Sequence, residues 1–135
     1  MRSVMKRLAA SVAVVAVSGW LATYAPLHAQ AQKPGGAPVA AKVRSAIEEH
    51  IARDTKLKGG FFVRDAKDQR VRDLALDYVH SGLEPGPGGQ QVMCVDFLDR
   101  NKDRLDIDFY VKATPSGELQ VADIKIHKVN GAERK

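Results

Sequence analysis

After Gly60 the chain alternates apolar and polar residues in segments that are separated by short polar turns. The clearest of these segments cover residues 91–98, 105–112 and 119–129. Alternation of this kind places apolar side chains on one face of a β-sheet and polar side chains on the other. Because short turns join strands that are antiparallel neighbours, the pattern predicts an antiparallel meander of about four or five strands. A break in the alternation near residues 121–123 predicts a β-bulge in the last strand.

One amphipathic helix precedes the predicted strands. Its apolar residues recur every four positions, at Val39, Val43, Ile47 and Ile51. This spacing predicts a helix over residues 39–56 with one apolar side. The Gly59-Gly60 pair provides the backbone freedom that a helix end often needs. A helix followed by a meander predicts an α+β domain in which the helix packs across the apolar face of the sheet.

The N-terminal segment has the pattern of a secretory signal peptide. Arg2, Lys6 and Arg7 precede an apolar stretch over residues 8–25, and small residues suited to cleavage follow. We therefore expect a signal peptide over residues 1–31, with cleavage after Ala29 or Ala31 and a periplasmic or secreted product. The product is expected to have no membrane association.

The rest of the chain divides into three parts. We predict a linker over residues 32–38, one domain over residues 39–131 and a polar tail over residues 132–135. The 135 residues include 21 lysines and arginines and 16 acidic residues, but three of the positive charges lie in the predicted signal peptide. The positive balance of the whole chain is therefore partly a feature of export, and a nucleic-acid partner is not expected.

Few residues suggest a cofactor, a metal or a nucleophile. Cys94 is the single cysteine, so no intramolecular disulfide is possible. His50, His80 and His127 lack the spacing of metal ligands on a helix, and we interpret them as structural or surface residues. No phosphate-binding or dinucleotide-binding fingerprint occurs, and no cofactor is predicted.

The predicted hairpin between residues 91 and 112 carries an unusual acidic face. The register that we prefer places Asp96 opposite Asp108 on the polar face of the sheet. Two alternative registers keep the same faces but place Asp96 opposite Asp106 or Tyr110. The candidate ligand-binding residues are Asp96, Asp106, Asp108 and Tyr110.

This acidic face has three possible interpretations. It is a solvated outer face neutralised by Lys112, Lys125, Arg70 or Arg72, a concave surface that binds a cation or a basic partner, or a pair of hydrolytic carboxylates. We favour the first, because antiparallel sheets commonly expose one face to water.

A turn in the same hairpin resembles the beginning of a calcium loop. Asp99, Asn101 and Asp103 alternate as oxygen-bearing residues, but Arg104 and Tyr110 stand where an EF-hand loop requires glycine and glutamate. We therefore predict a turn stabilised by its Asp and Asn side chains, without a metal.

The predicted layout resembles the cystatin-like architecture, which cystatins, PepSY-type exported domains and NTF2-like proteins share. A cystatin would carry a Gln-x-Val-x-Gly loop, whereas this chain has Gln91-Val92-Met93-Cys94 leading into a strand. Protease inhibition is therefore not implied. The segments 94–97, 105–109 and 126–131 also resemble small exported bacterial proteins, a likeness that implies no activity.

Two functions are compatible with these patterns. The first is an exported, non-enzymatic binding module whose partner is an exported protein or peptide. The alternative is a small-ligand-binding or hydrolytic domain with a pocket between helix and sheet and an acidic site around Asp96 and Asp108. The oligomeric state is left open.

Overall fold

The computed structural model describes residues 36–134, except for the side chain of Ala37. The predicted signal peptide and most of the predicted linker therefore lie outside the described residues. The described chain forms one helix and a curled antiparallel sheet, which confirms the predicted α+β class.

Helix α1 covers Gly36–Lys58 and begins three residues before the predicted start, inside the segment predicted as linker. Its apolar side buries Val43, Ile47 and Ile51, as the four-residue spacing predicts. The helix ends where Gly59 adopts a positive φ of 77° and donates its backbone N–H to the Thr55 carbonyl at 2.9 Å. A left-handed residue after the last turn is the usual way to satisfy a helix end.

The sheet contains five longer strands and two strands of two residues. They are β1 (Phe61–Asp65), β2 (Arg70–Val79), β3 (Glu84–Pro85), β4 (Gln91–Asp99), β5 (Arg104–Ala113), β6 (Leu119–Val129) and β7 (Ala132–Glu133). The strand order is β1-β2-β4-β5-β6-β7, and β3 pairs with β4 beyond the end of β2. The two short strands raise the number of strands above the four or five predicted. One of them, β7, lies in the segment predicted as a polar tail.

The register of β4 and β5 is one of the two alternatives and not the preferred one. Asp96 pairs with Asp106, and Cys94 pairs with Asp108. In this register Phe97 pairs with Leu105, and both side chains are fully buried. The preferred register is wrong because it leaves Leu105, the first apolar residue of β5, outside the matched apolar pairs.

Two strands contain bulges that change which face a side chain occupies. The pairing of β6 with β5 shifts at two places, between the β5 residues Asp106 and Ile107 and between Tyr110 and Val111. The second shift lies at residues 121–123 of β6, where the sequence predicts a bulge. In β2 an extra residue, Asp77, separates the pairs that Leu76 and Tyr78 form with β4. The alternation therefore reverses after Leu76, so that Val79 is buried while Tyr78 is 54% exposed. A bulge in β2 is not among the features predicted from the sequence above.

The core lies between α1 and the sheet. Three phenylalanine rings form its centre, with centroids of Phe61 and Phe97 5.3 Å apart and those of Phe97 and Phe109 6.1 Å apart. Ile124 and Ile126 of β6 pack against this cluster and are partly buried. Apolar burial of this extent accounts for a fold that has no disulfide.

A buried arginine joins several turns at one end of the sheet. The Arg72 side chain is 1% exposed and pairs with the carboxylates of Asp65, Asp68, Asp99 and Asp103 at 2.7–3.0 Å. We call these five residues the Arg72 cluster. It ties the β1–β2 turn to the β4–β5 turn, so the prediction that Arg72 neutralises the acidic outer face is wrong.

The end of the described chain contacts the first hairpin of the sheet. Arg134, which follows β7, donates hydrogen bonds to both carboxylate oxygens of Asp68 at 2.8 and 3.0 Å. These bonds connect the last residues to the first hairpin. Because Asp68 also belongs to the Arg72 cluster, the last residues are joined to the same end of the sheet as that cluster.

Candidate functional site

A groove of about 410 Å³ lies on the outer face of the sheet, away from α1. Strands β2, β4, β5 and β6 contribute its lining. Its chemically functional side chains include Tyr78, His80, Cys94, Asp106, Asp108 and His127. We call it the outer-face groove.

The structure distributes the predicted ligand-binding residues in three ways. Asp106 and Asp108 line the outer-face groove, and Asp96 is buried beside it. Tyr110 is not part of the groove lining, and the Lys125 ammonium lies 4.7 Å from its ring centroid. The two strands therefore bring together the acids but leave the tyrosine in a separate cation–π contact.

Asp96 is held in place as an ionised carboxylate. Its two oxygens contact Arg104 at 2.8 Å and His80 Nε2 at 3.0 Å. Burial would raise the pKa of Asp96, but the hydrogen bonds from Arg104 and His80 outweigh it and hold the pKa below its ordinary value. A carboxyl that has lost its proton at neutral pH does not act as a general acid.

Asp108 and Cys94 face each other across the β4–β5 pair. Asp108 also lies 3.4 Å from His127 Nδ1. Burial, together with the negative charges of Asp108, Asp106 and Asp96, raises the pKa of the Cys94 thiol to about 12. Because the thiolate is the nucleophilic form, this setting does not suit a catalytic cysteine.

This setting predicts slow alkylation of Cys94. At pH 8 the thiol is expected to react with iodoacetamide far more slowly than a free cysteine, whose pKa is about 8.5. Asp108→Asn should lower the thiol pKa and increase the rate, because it removes a neighbouring negative charge. Asp123→Asn, which removes an exposed acid outside the groove lining, is the control. A wild-type rate equal to that of a free thiol would contradict the prediction.

In the turn that resembles a calcium loop, the Asp side-chain oxygens accept hydrogen bonds from other groups of the protein. Asp99 Oδ1 accepts the backbone N–H groups of Asn101 and Asp103 at 2.8 and 3.0 Å. Asp99 Oδ2 and Asp103 Oδ2 accept hydrogen bonds from Arg72. The turn is thus an Asx-type turn whose carboxylates belong to the Arg72 cluster.

Three residues of different types converge where the groove meets β2. His80, Cys94 and Asp96 each place one potential metal-ligand atom so that all three atoms lie within 4.8 Å of one another. His80 is on the outer face because the Asp77 bulge reverses the alternation of β2. We call these residues the His-Cys-Asp triad. Histidine spacing along the chain does not predict the triad, because its residues come together across two neighbouring strands.

The spacing of the apolar residues in β2 does indicate the bulge on which this arrangement depends. Leu74 and Leu76 are separated by two positions, whereas the next apolar aliphatic residue, Val79, follows after three. Such a change of spacing in a strand indicates a bulge, and a bulge moves the residues after it to the opposite face. The bulge therefore places Tyr78 and His80 on the outer face of the sheet.

A second groove, of about 680 Å³, lies between α1 and the beginning of β6. Small and charged helix residues form much of its lining, together with His50. Burial lowers the pKa of His50, which favours its neutral form. No metal-ligand cluster among residues 36–134 includes a residue of this second groove.

No known protein family, curated protein or solved structure matches this chain significantly. Among the described residues, no helix has the length and apolar character needed to cross a membrane.

Proposed function

We propose that this chain is an exported, non-enzymatic binding module whose outer-face groove binds a positively charged ligand. The proposal rests on the Asp106 carboxylate, which lines that groove. Within residues 36–134, no side chain forms a hydrogen bond or an ion pair shorter than 4.0 Å with Asp106. Its carboxylate is therefore the acid best placed to meet a ligand.

The charges around Asp106 support a cationic ligand. Asp108 and Glu84 also line the groove, and Lys128 is the single lysine in its lining. Asp96 is already balanced by Arg104, so it adds little to the attraction. Carboxylates in excess over ammonium groups in a concave surface give a local negative potential that attracts cations.

Two features favour binding over catalysis. The centre of the interface between α1 and the sheet is filled by buried apolar side chains, which include Val43 and Ile47. The second groove, between α1 and β6, contains neither Asp96 nor Asp108, which disfavours the alternative of an acidic ligand pocket between helix and sheet. The hydrolytic alternative requires a carboxylic acid that keeps its proton near neutral pH, whereas the pKa of Asp96 is lowered.

Export and the cystatin-like layout are parts of the same proposal. The positive start and the apolar stretch over residues 8–25 support a signal peptide and a periplasmic or secreted location. The arrangement of one helix against an antiparallel sheet is compatible with the cystatin-like architecture. An exported basic protein or peptide is the partner that best fits the groove.

A peptide titration tests the proposed binding site. An octa-lysine peptide is expected to bind the wild-type protein and to bind less tightly as salt increases. The double variant Asp106→Asn/Asp108→Asn should lose about five- to tenfold in affinity, since each exposed ion pair contributes up to about 1 kcal/mol. Isothermal titration calorimetry at low and moderate salt measures both effects.

A matched double variant separates the groove from overall charge. Glu48→Gln/Glu49→Gln removes two exposed acids of α1, on the other side of the sheet, and should bind octa-lysine like the wild type. Equal loss of affinity in both double variants would show that net charge, and not the groove, attracts the peptide.

A further inference from the structure

We propose that His80, Cys94 and Asp96 form a binding site for a divalent transition metal of the zinc type. The inference rests on the proposed function and deepens it by naming a cation that the outer-face groove would accept. It is carried by the convergence of three different ligand types at one point of the sheet.

The distances within the triad are close to those of a coordinated metal. His80 Nε2 and Asp96 Oδ1 are 3.0 Å apart. Two atoms bound to zinc at about 2.0–2.1 Å with tetrahedral geometry are separated by about 3.3 Å. The largest separation within the triad is at most 4.8 Å, so an adjustment of about 1 Å brings the thiol into range of a zinc–sulfur bond of about 2.3 Å.

The backbone places the three side chains independently of any metal. Cys94 and Asp96 are two positions apart on β4 and therefore project from the same face. The backbone N–H of His80 donates to the Cys94 carbonyl at 3.1 Å and fixes the histidine beside the cysteine. The Tyr78 ring meets the imidazole edge-on with a centroid distance of 5.1 Å, which restricts its rotation.

The neighbouring groups would support a bound cation. Arg104 holds Asp96 Oδ2, which leaves Oδ1 directed at His80 and available to a metal. Hydrogen bonds that orient a ligating carboxylate are a regular feature of metal sites. Asp106 and Asp108 line the same groove as Cys94, and the negative potential of their carboxylates favours a divalent cation there.

The ligand types select the metal. Sulfur and imidazole nitrogen together with one carboxylate oxygen suit zinc and similar transition metals, whereas calcium and magnesium prefer oxygen ligands alone. Coordination replaces the S–H bond of Cys94 by a metal–sulfur bond, and the thiol proton passes to the solvent. The imidazole of His80 exchanges its proton from Nε2 to Nδ1 through the solvent, so that Nε2 is free to bind the metal. The fourth coordination position would face the groove and accept water or a ligand group.

A cobalt titration of the protein tests the site directly. Co²⁺ should produce a thiolate-to-metal charge-transfer absorption, and Zn²⁺ should displace it and protect Cys94 from iodoacetamide. Cys94→Ser should abolish the absorption, and His80→Gln should weaken metal binding about 100-fold or more, because even partners that only orient a ligand contribute 10–100-fold. Ca²⁺ should displace no Co²⁺.

A neighbouring histidine provides the matched control. His127 lines the same groove but lies outside the triad, so His127→Gln should retain the absorption and the protection by Zn²⁺. Circular dichroism of each variant verifies the fold. Absence of the thiolate absorption in folded wild type, or equal loss in His127→Gln and His80→Gln, would overturn the metal site.

The octa-lysine titration separates this inference from the proposed function. If wild type shows no thiolate absorption but binds octa-lysine through Asp106 and Asp108, the metal site fails and the cation-binding module stands. If neither probe binds, both proposals fail.

Discussion

Arg72→Met is expected to lower the free energy of unfolding by about 3–5 kcal/mol, because removing one partner of a buried ion pair leaves the others uncompensated. Asp65 and Asp99 are buried with the guanidinium, and each accepts a hydrogen bond from it at 2.8 Å. Burial alone would lower the pKa of Arg72, but its hydrogen bonds to Asp65, Asp103 and Asp99 raise it. Urea unfolding followed by circular dichroism measures the loss.

Two further variants isolate the cause. Arg70→Met removes the same type of side chain from the same strand, but Arg70 is 40% exposed and should cost about 1 kcal/mol or less. Arg72→Lys keeps the charge but loses the planar fork that bonds several carboxylates at once, so an intermediate loss is expected. Equal losses for Arg72→Met and Arg70→Met would contradict a special role for the buried arginine.

Phe109→Ala is also expected to lower the free energy of unfolding by about 3–5 kcal/mol. The Phe109 side chain is fully buried and its ring packs against Phe97 and Phe61. The substitution removes the aromatic contacts and leaves a cavity that the surrounding strands fill only in part. The same urea unfolding experiment measures the change.

Phe62→Ala is the matched control for this prediction. Phe62 follows Phe61 in β1, but its side chain is on the opposite face and 38% exposed. The same chemical change should therefore cost no more than about 1 kcal/mol. If Phe109→Ala costs as little as Phe62→Ala, the core assignment of β5 is wrong.

Local patterns predicted the elements of the fold. The four-residue spacing of Val43, Ile47 and Ile51 identified the helix and its buried side, and all three are buried. The alternation of β4 and β5 assigned their two faces correctly. The broken alternation at residues 121–123 predicted one of the two irregularities of β6, since a single strand carries that signal.

Pairwise geometry between strands was harder to predict. A shift of two residues keeps every apolar side chain on the same face, so face alternation alone could not choose between Asp106 and Asp108 as the partner of Asp96. The His-Cys-Asp triad forms only because β2 pairs with β4 and because the Asp77 bulge turns His80 to the outer face. The burial of Arg72 likewise depends on acids from two distant turns.

The hydrogen bonds between Arg134 and Asp68 have a kinetic consequence. The two residues are 66 positions apart, so the contact requires almost the whole domain to be present. Contacts between distant parts of a chain form slowly because a long loop must first be closed. An interaction that forms after the folding barrier mainly slows unfolding and has little effect on the rate of folding. We therefore expect the last residues of the described chain to affect the lifetime of the folded domain more than the speed with which it forms.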